Sequence, residues 1–201
     1  AGPNGNSMRT LNGAWTYNWQ GKFTDKFAEY HNTIFESFSN TYGKDNVTFI
    51  SGVSYKGNAS FYDMTEDNIG EVVKAAKDHD YILLCLGENS YTEKPGDLND
   101  LNLHKLQLKL ANELSKTGKP IILVLNIGRP RLISEIEPFM SAILNIYLPG
   151  NFGGDALVDI VSGVVNPSGK LPYTYPAFPN SLSTYYFKPS EIQNNSQGAY
   201  N

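Results

Sequence analysis

The stretch "GENSYTEKPGD", Gly87 to Asp97, concentrates reactive side chains: two carboxylates, Glu88 and Glu93, with Tyr91 between them and a proline-glycine turn behind. A carboxyl group can give or take a proton at a reacting bond. Cleavage of a glycosidic bond needs one carboxylic acid to protonate the leaving oxygen and a second carboxylate to attack or to activate water. Two acids on one loop do not supply the fixed, opposed pair that straddles such a bond. A complete site is therefore not readable, and either acid is also readable as a solvated loop residue. The second concentration is "LNGAWTYNWQG", Leu11 to Gly21, with Trp15 and Trp19 beside Tyr17. Its polar flanks and glycines suggest a surface loop, where flat rings offer large contact area to the apolar faces of sugars. The alternative is a ring buried as the loop's anchor.

Other chemistries find little support. "GNFGGDAL" opens a helix with glycines but matches no dinucleotide fingerprint, and no phosphate-binding lysine follows. No nucleophile elbow is present. The single cysteine, Cys85, sits inside an apolar run and reads as a small buried hydrophobe. His31, His79 and His104 have no metal-ligand spacing, so neither a metal nor a cofactor is expected. A net charge of -4 without a basic stripe argues against nucleic acid. No apolar stretch approaches the roughly 20 residues of a membrane span, and no signal peptide is visible. Sequons at Asn46, Asn58 and Asn194 are short enough to arise by chance.

The elements that would position these residues alternate. "FTDKFAEYHNTIFESFSNTYG" places Phe27, Tyr30, Ile34, Phe35 and Phe38 on one helical face, and "NVTFISG" reads as a short strand. Asp67 to Lys77 and Leu103 to Leu114 carry apolar helical stripes. "YILLCLG", "IILVLNIG" and "AILNIYLPG" lack polar alternation, as strands covered on both faces do. A helix is predicted around Leu132 to Phe139, and the last one over "GGDALVDIVSG". Strand-helix alternation of this kind predicts a three-layer α/β/α sandwich with a mostly parallel sheet, spanning residues 1–201 as a single domain. Ligands of such sheets bind beyond the carboxyl ends of the strands, where "GENSYTEKPGD", "NIGRP" and "LPGNFGG" lie. Both termini read as cut, which predicts a piece of a longer protein.

Five stretches in series, "GPNGNSMRTLNGAWTYNWQG", "DYILLCLGENSYTEKPGD", "GKPIILVLNIGRP", "AILNIYLPGNFGGDAL" and its continuation through "PYTYP", resemble the second domain of glycoside hydrolase family 3. Within that family the likeness is to exo-acting β-glucosidases and β-glucan glucohydrolases. The resemblance implies a retaining enzyme whose nucleophile is an aspartate on an N-terminal (β/α)8 barrel. It implies that Glu93, in "TEKPGD", is the general acid/base, and that Glu88 supports the loop. Trp15 would line the aglycone side of the pocket, and Trp19 would pack inside its loop. Tyr91 is a further candidate substrate contact, and Asp97 would tie the turn down by hydrogen bonding. The implied partners are a β-glucoside or β-glucan oligosaccharide and the barrel, in a periplasmic or secreted setting. A non-catalytic carbohydrate-binding module, using Trp15 and Tyr91 as its platform, is the alternative.

Overall fold

A computed structural model describes residues 1–57 and 62–179. The sequons at Asn58 and Asn194 and the closing "EIQNNSQGAYN" lie outside the described residues. In chain order the first elements are α1 (Met8–Asn12), α2 (Thr24–Phe27), α3 (Ile34–Tyr42), β1 (Val53–Tyr55) and β2 (Met64–Glu66). There follow α4 (Ile69–Ala76), β3 (Ile82–Gly87), α5 (Lys105–Ser115), β4 (Ile121–Asn126), β5 (Ala142–Asn145) and α6 (Gly153–Val161).

The apolar runs become a parallel sheet in the order β3-β4-β5, with Ile82 opposite Ile121 and Leu123 opposite Ile143. Successive side chains point to opposite faces of a strand, and here both faces are covered. Leu84, Leu86, Leu123 and Leu125 pack with Val72, Ala76, Leu110 and Leu114 beneath α4 and α5. Cys85 and Val124 pack with Ile34, Phe38, Leu157 and Val158 beneath α3 and α6. The result is the expected α/β/α layering. Beyond β3, residues 1–4 extend the ladder, with Ala1 N donating to Leu83 O at 2.8 Å and Cys85 N to Ala1 O at 2.8 Å.

Four local expectations fail for identifiable reasons. The long helix over Phe27 to Phe38 is two helices, because Thr33 and Glu36 form a reciprocal cap that restarts the chain. Ile34 and Phe38 are buried by that restart, while Phe27 and Tyr30 face solvent. "NVTFISG" makes no strand; pairing begins after Gly52, in an antiparallel hairpin of β1 with β2 that the sequence reading did not name. The helix expected at Leu132 to Phe139 shrinks to one 3-10 turn, Glu137–Phe139, with Pro138 inside it. Leu132 instead pairs with the 101–103 segment, donating to Leu101 O at 2.8 Å. Finally, β5 is the last strand of the sheet among the described residues, and its Ala142 and Ile143 are exposed rather than covered.

α5 starts at an unusual cap. His104 Nδ1 accepts the Leu106 backbone N–H at 3.2 Å, which requires that nitrogen to be unprotonated. Burial, then the neighbouring Lys105 charge, holds this imidazole below the ordinary histidine value of 6.5. A depressed histidine contributes stability above its unfolded value and loses it as pH falls. Thermal midpoints measured from about pH 8 down to about pH 5 should therefore fall more steeply for the wild type than for His104→Asn, whose side chain keeps the cap without titrating. Parallel slopes would remove the cap from the acid response.

Candidate active site

Gly87 ends β3 under close constraint: a Cβ there would lie 2.0 Å from Asn126 O, so only glycine fits. The side-chain amide of Gln107 both accepts from Gly87 N and donates to Gly87 O, each at 2.8 Å, replacing a missing strand neighbour. Tyr55 Oη donates to Gly87 O at 3.0 Å, and Asn4 Nδ2 donates to Glu88 O at 3.2 Å. Burial above all, with the Glu88 charge second, pushes the Tyr55 phenol far up, so it remains a donor. The chain thus leaves the sheet with its backbone polar groups engaged.

Glu88 follows at once, and its side chain is 5% exposed. Its Oε1 accepts Arg131 Nη1 at 2.6 Å and Arg129 Nε at 3.1 Å, and its Oε2 accepts Tyr91 Oη at 3.1 Å. Arg131 continues to Leu101 O at 3.0 Å and to Asn102 O, and its own carbonyl accepts Tyr175 Oη at 2.6 Å. Arg129 donates through Nη1 to Gly96 O at 2.8 Å, and its guanidinium lies 4.1 Å from the centre of the Tyr91 ring. Gly96 packs so tightly on Tyr91 that a Cβ would come 2.4 Å from Cδ2. Tyr91 is half-buried, its ring held between Gly96 of its own loop and Arg129 of the next, which reads against a freely presented stacking ring. Burial, with Glu88 next, raises its phenol well above the ordinary tyrosine value.

Glu93, five residues on, has the opposite fate. It is exposed, and among the described residues no hydrogen bond or ion pair reaches its carboxylate. Its backbone sits at φ 54° and ψ −154°, a conformation that side chains disfavour. The turn closes through Glu93 O accepting Gly96 N at 2.8 Å. Arg129, not the exposed Asp97 side chain, ties the turn down.

The tryptophan loop is pinned to this one. Gln20 Nε2 donates to Thr92 O and Gln20 Oε1 accepts Thr92 N, both at 3.2 Å. Ser90 Oγ donates to Gln20 O at 2.6 Å and accepts Arg9 Nε at 2.5 Å. Trp15 is 67% exposed, and Trp19 is 46% exposed and does not pack inside its loop as expected. The ladder pair Trp15 N to Trp19 O, 3.0 Å, turns both rings outward from a narrow neck. Tyr17 lies 5.2 Å from Phe27.

A groove of about 490 Å³ lies elsewhere, lined by Ala1, Phe38, Tyr42, Phe49 and Ala76, and does not include Glu93. Among the described residues, no cluster of three or more His, Cys, Asp or Glu is placed to hold a metal, and no helix is long and apolar enough to cross a membrane. The sequence reading missed Arg129 and Arg131. Their signal was "GRPR" immediately after a covered strand, on the side where a buried acid would need cations.

The fold is an α/β domain in which the loop after a parallel strand carries an exposed carboxylate, Glu93. The model of the glycosyl hydrolase family 3 C-terminal domain matches residues 1–200, and the chain belongs to that family. A lysosomal β-glucosidase of Dictyostelium discoideum is 34% identical over 94% of the chain and 23% of its own length. A β-xylosidase of Formosa agariphila is 28% identical over 99% of the chain and 27% of its own length. The chain therefore spans about a quarter of these relatives. The solved β-glucosidase of Listeria innocua, in complex with isofagomine, superposes with a TM-score of 0.69 at 24% identity, over 88% of the chain and 22% of that structure, a likeness of fold.

The Glu88 cluster should dominate local stability. Removing one partner of a buried ion pair leaves uncompensated charge and costs about 3–5 kcal/mol. Glu88→Ala, which strands Arg131, is expected to fall in that range by urea denaturation, whereas Asp97→Ala should change stability by less than about 0.5 kcal/mol. Equal small effects would mean the cluster is not holding the strand ends.

Proposed function

We propose that this chain is the sandwich domain of a retaining β-glucosidase or exo-β-glucanase, and that Glu93 is its general acid/base. The nucleophile, an aspartate, would sit on a (β/α)8 barrel in the remaining length typical of the relatives. One observation carries the reading: Glu93 is held outward, with no bonding partner among the described residues, on a loop fastened at several points. Exposed acids are common on any surface; what sets Glu93 apart is a positive φ, held by that fastened loop beyond the carboxyl end of β3.

In the assembled two-domain enzyme, Glu93 protonates the glycosidic oxygen while the barrel aspartate attacks the anomeric carbon. Glu93 then deprotonates water, which releases the sugar with net retention. Retention wants the two carboxyl groups about 5 Å apart, so the acid must stand clear of its own sheet and face the barrel. Trp15 would lie against the aglycone, and Tyr91 would hold the loop rather than touch sugar. The substrate class is a terminal β-D-glucosyl residue of a glucoside or glucan, and the names of the relatives keep a xyloside within reach. Polymeric glycans lie outside the cytoplasm, which favours a periplasmic or secreted enzyme.

A second reading, a non-catalytic carbohydrate-binding module, is favoured only by the exposure of Trp15 and Trp19. Titration calorimetry of the chain with gluco-oligosaccharides separates the two, since tight binding without the barrel belongs to the module. For the enzyme reading, Glu93→Ala in the assembled enzyme should lower kcat/KM on an alkyl β-glucoside by about 10²–10⁴. Azide should restore turnover of a dinitrophenyl β-glucoside and yield the β-glucosyl azide. Undiminished hydrolysis of the alkyl glucoside would exclude the acid role.

A further inference from the structure

We infer that Arg129 is the positioning residue for Glu93. This rests on the acid/base reading above and extends it to a residue on another strand's loop. One guanidinium grips the acid loop at three places. At the start it bonds the Glu88 carboxylate at 3.1 Å, in the middle it covers the Tyr91 ring at 4.1 Å, and at the end it bonds the Gly96 carbonyl at 2.8 Å. The last contact bears directly on Glu93. Gly96 N closes the turn onto Glu93 O at 2.8 Å, and the Gly96 carbonyl that Arg129 holds is on the next peptide unit, one Cα away, so the clamp bears on the acid's backbone through a single residue.

The arrangement divides the work between the two arginines. Arg131 bonds the Glu88 carboxylate and the 101–102 backbone, none of which lies in the turn. Arg129 reaches the turn. Only arginine's planar fork can serve a carboxylate, a carbonyl and a ring face at once; a lysine at this site is a single point charge. The strain at Glu93, φ 54°, supplies the reason a clamp is needed. A residue in a disfavoured conformation stays there only while its surroundings over-determine it. Released at Gly96, the turn would relax and carry the carboxyl group off the glycosidic oxygen, and a displacement near 1 Å can cost about 10²-fold in rate.

The test uses the assembled enzyme with Arg129→Lys, which keeps the charge, and Arg129→Ala. With an alkyl β-glucoside, which needs a proton donor, kcat/KM should fall about 10²-fold in Arg129→Lys. With a dinitrophenyl β-glucoside, which does not, kcat/KM should fall less than about tenfold, while kcat drops and azide restores it. In the double variant with Glu93→Ala, the loss on the alkyl glucoside should equal that of Glu93→Ala alone, because a misplaced acid and an absent one fail alike. Backbone hydrogen exchange should quicken at Gly96 and Asp97 and stay unchanged at Leu84 and Leu125. Equal losses on both substrates, or losses that multiply in the double variant, would overturn the positioning role and leave Arg129 a general stabiliser. If Glu93→Ala alone shows neither leaving-group dependence nor azide rescue, the acid/base reading itself fails, whatever Arg129 does.

Discussion

The buried carboxylate of Glu88 is the constraint around which the strand ends are built. A charge taken from water costs several kcal/mol unless it is paired and its lone pairs are satisfied. Here two guanidinium groups and a phenol converge on it, at 2.6, 3.1 and 3.1 Å. The partners arrive from two parts of the chain: Tyr91 from the acid loop, and Arg129 and Arg131 from the loop after β4. Satisfying one carboxylate therefore docks two loops, and through Arg131 the 101–102 backbone and Tyr175 as well.

That docking separates the roles of two acids five residues apart. Glu88 is spent on architecture, with both oxygens engaged. Glu93 rides the outer end of the loop that Glu88 anchors, and its carboxyl group is turned to solvent. A rigid base with a projecting acid suits a reaction whose second carboxyl group lies on another fold, because precision then depends on the base rather than on the length of the side chain.

Backbone strain gathers on this side of the domain. Among the described residues, the non-glycine residues with positive φ are Trp15, Tyr17, Glu93 and Tyr147. Glu93 and Tyr147 follow β3 and β5, and the tryptophan loop is hydrogen-bonded to the acid loop through Gln20. Such conformations persist where surrounding contacts enforce them, and they concentrate at functional surfaces. The dense cores on either side of the sheet supply the rigidity that holds them.

Sequence alone determined the layering and the side of the sheet that matters. Unbroken apolar runs of strand length bounded by turn residues read as strands of a covered sheet, and the loops after them fall at its carboxyl ends. Its family resemblance nominated Glu93 as the acid/base, with Trp15 and Tyr91 as candidate sugar contacts. It did not reveal that Tyr91 is half-buried, that Trp19 is exposed, or that β5 is partly exposed, because exposure depends on neighbours far away in the chain. Nor could it divide Glu88 from Glu93 by geometry, since two glutamates on one loop look alike until their partners are known. Glu88 meets Arg129 and Arg131 across 41 and 43 residues. Only the parallel pairing of β3 with β4 brings those loops side by side, so the tertiary structure alone decided which acid is buried and which is presented.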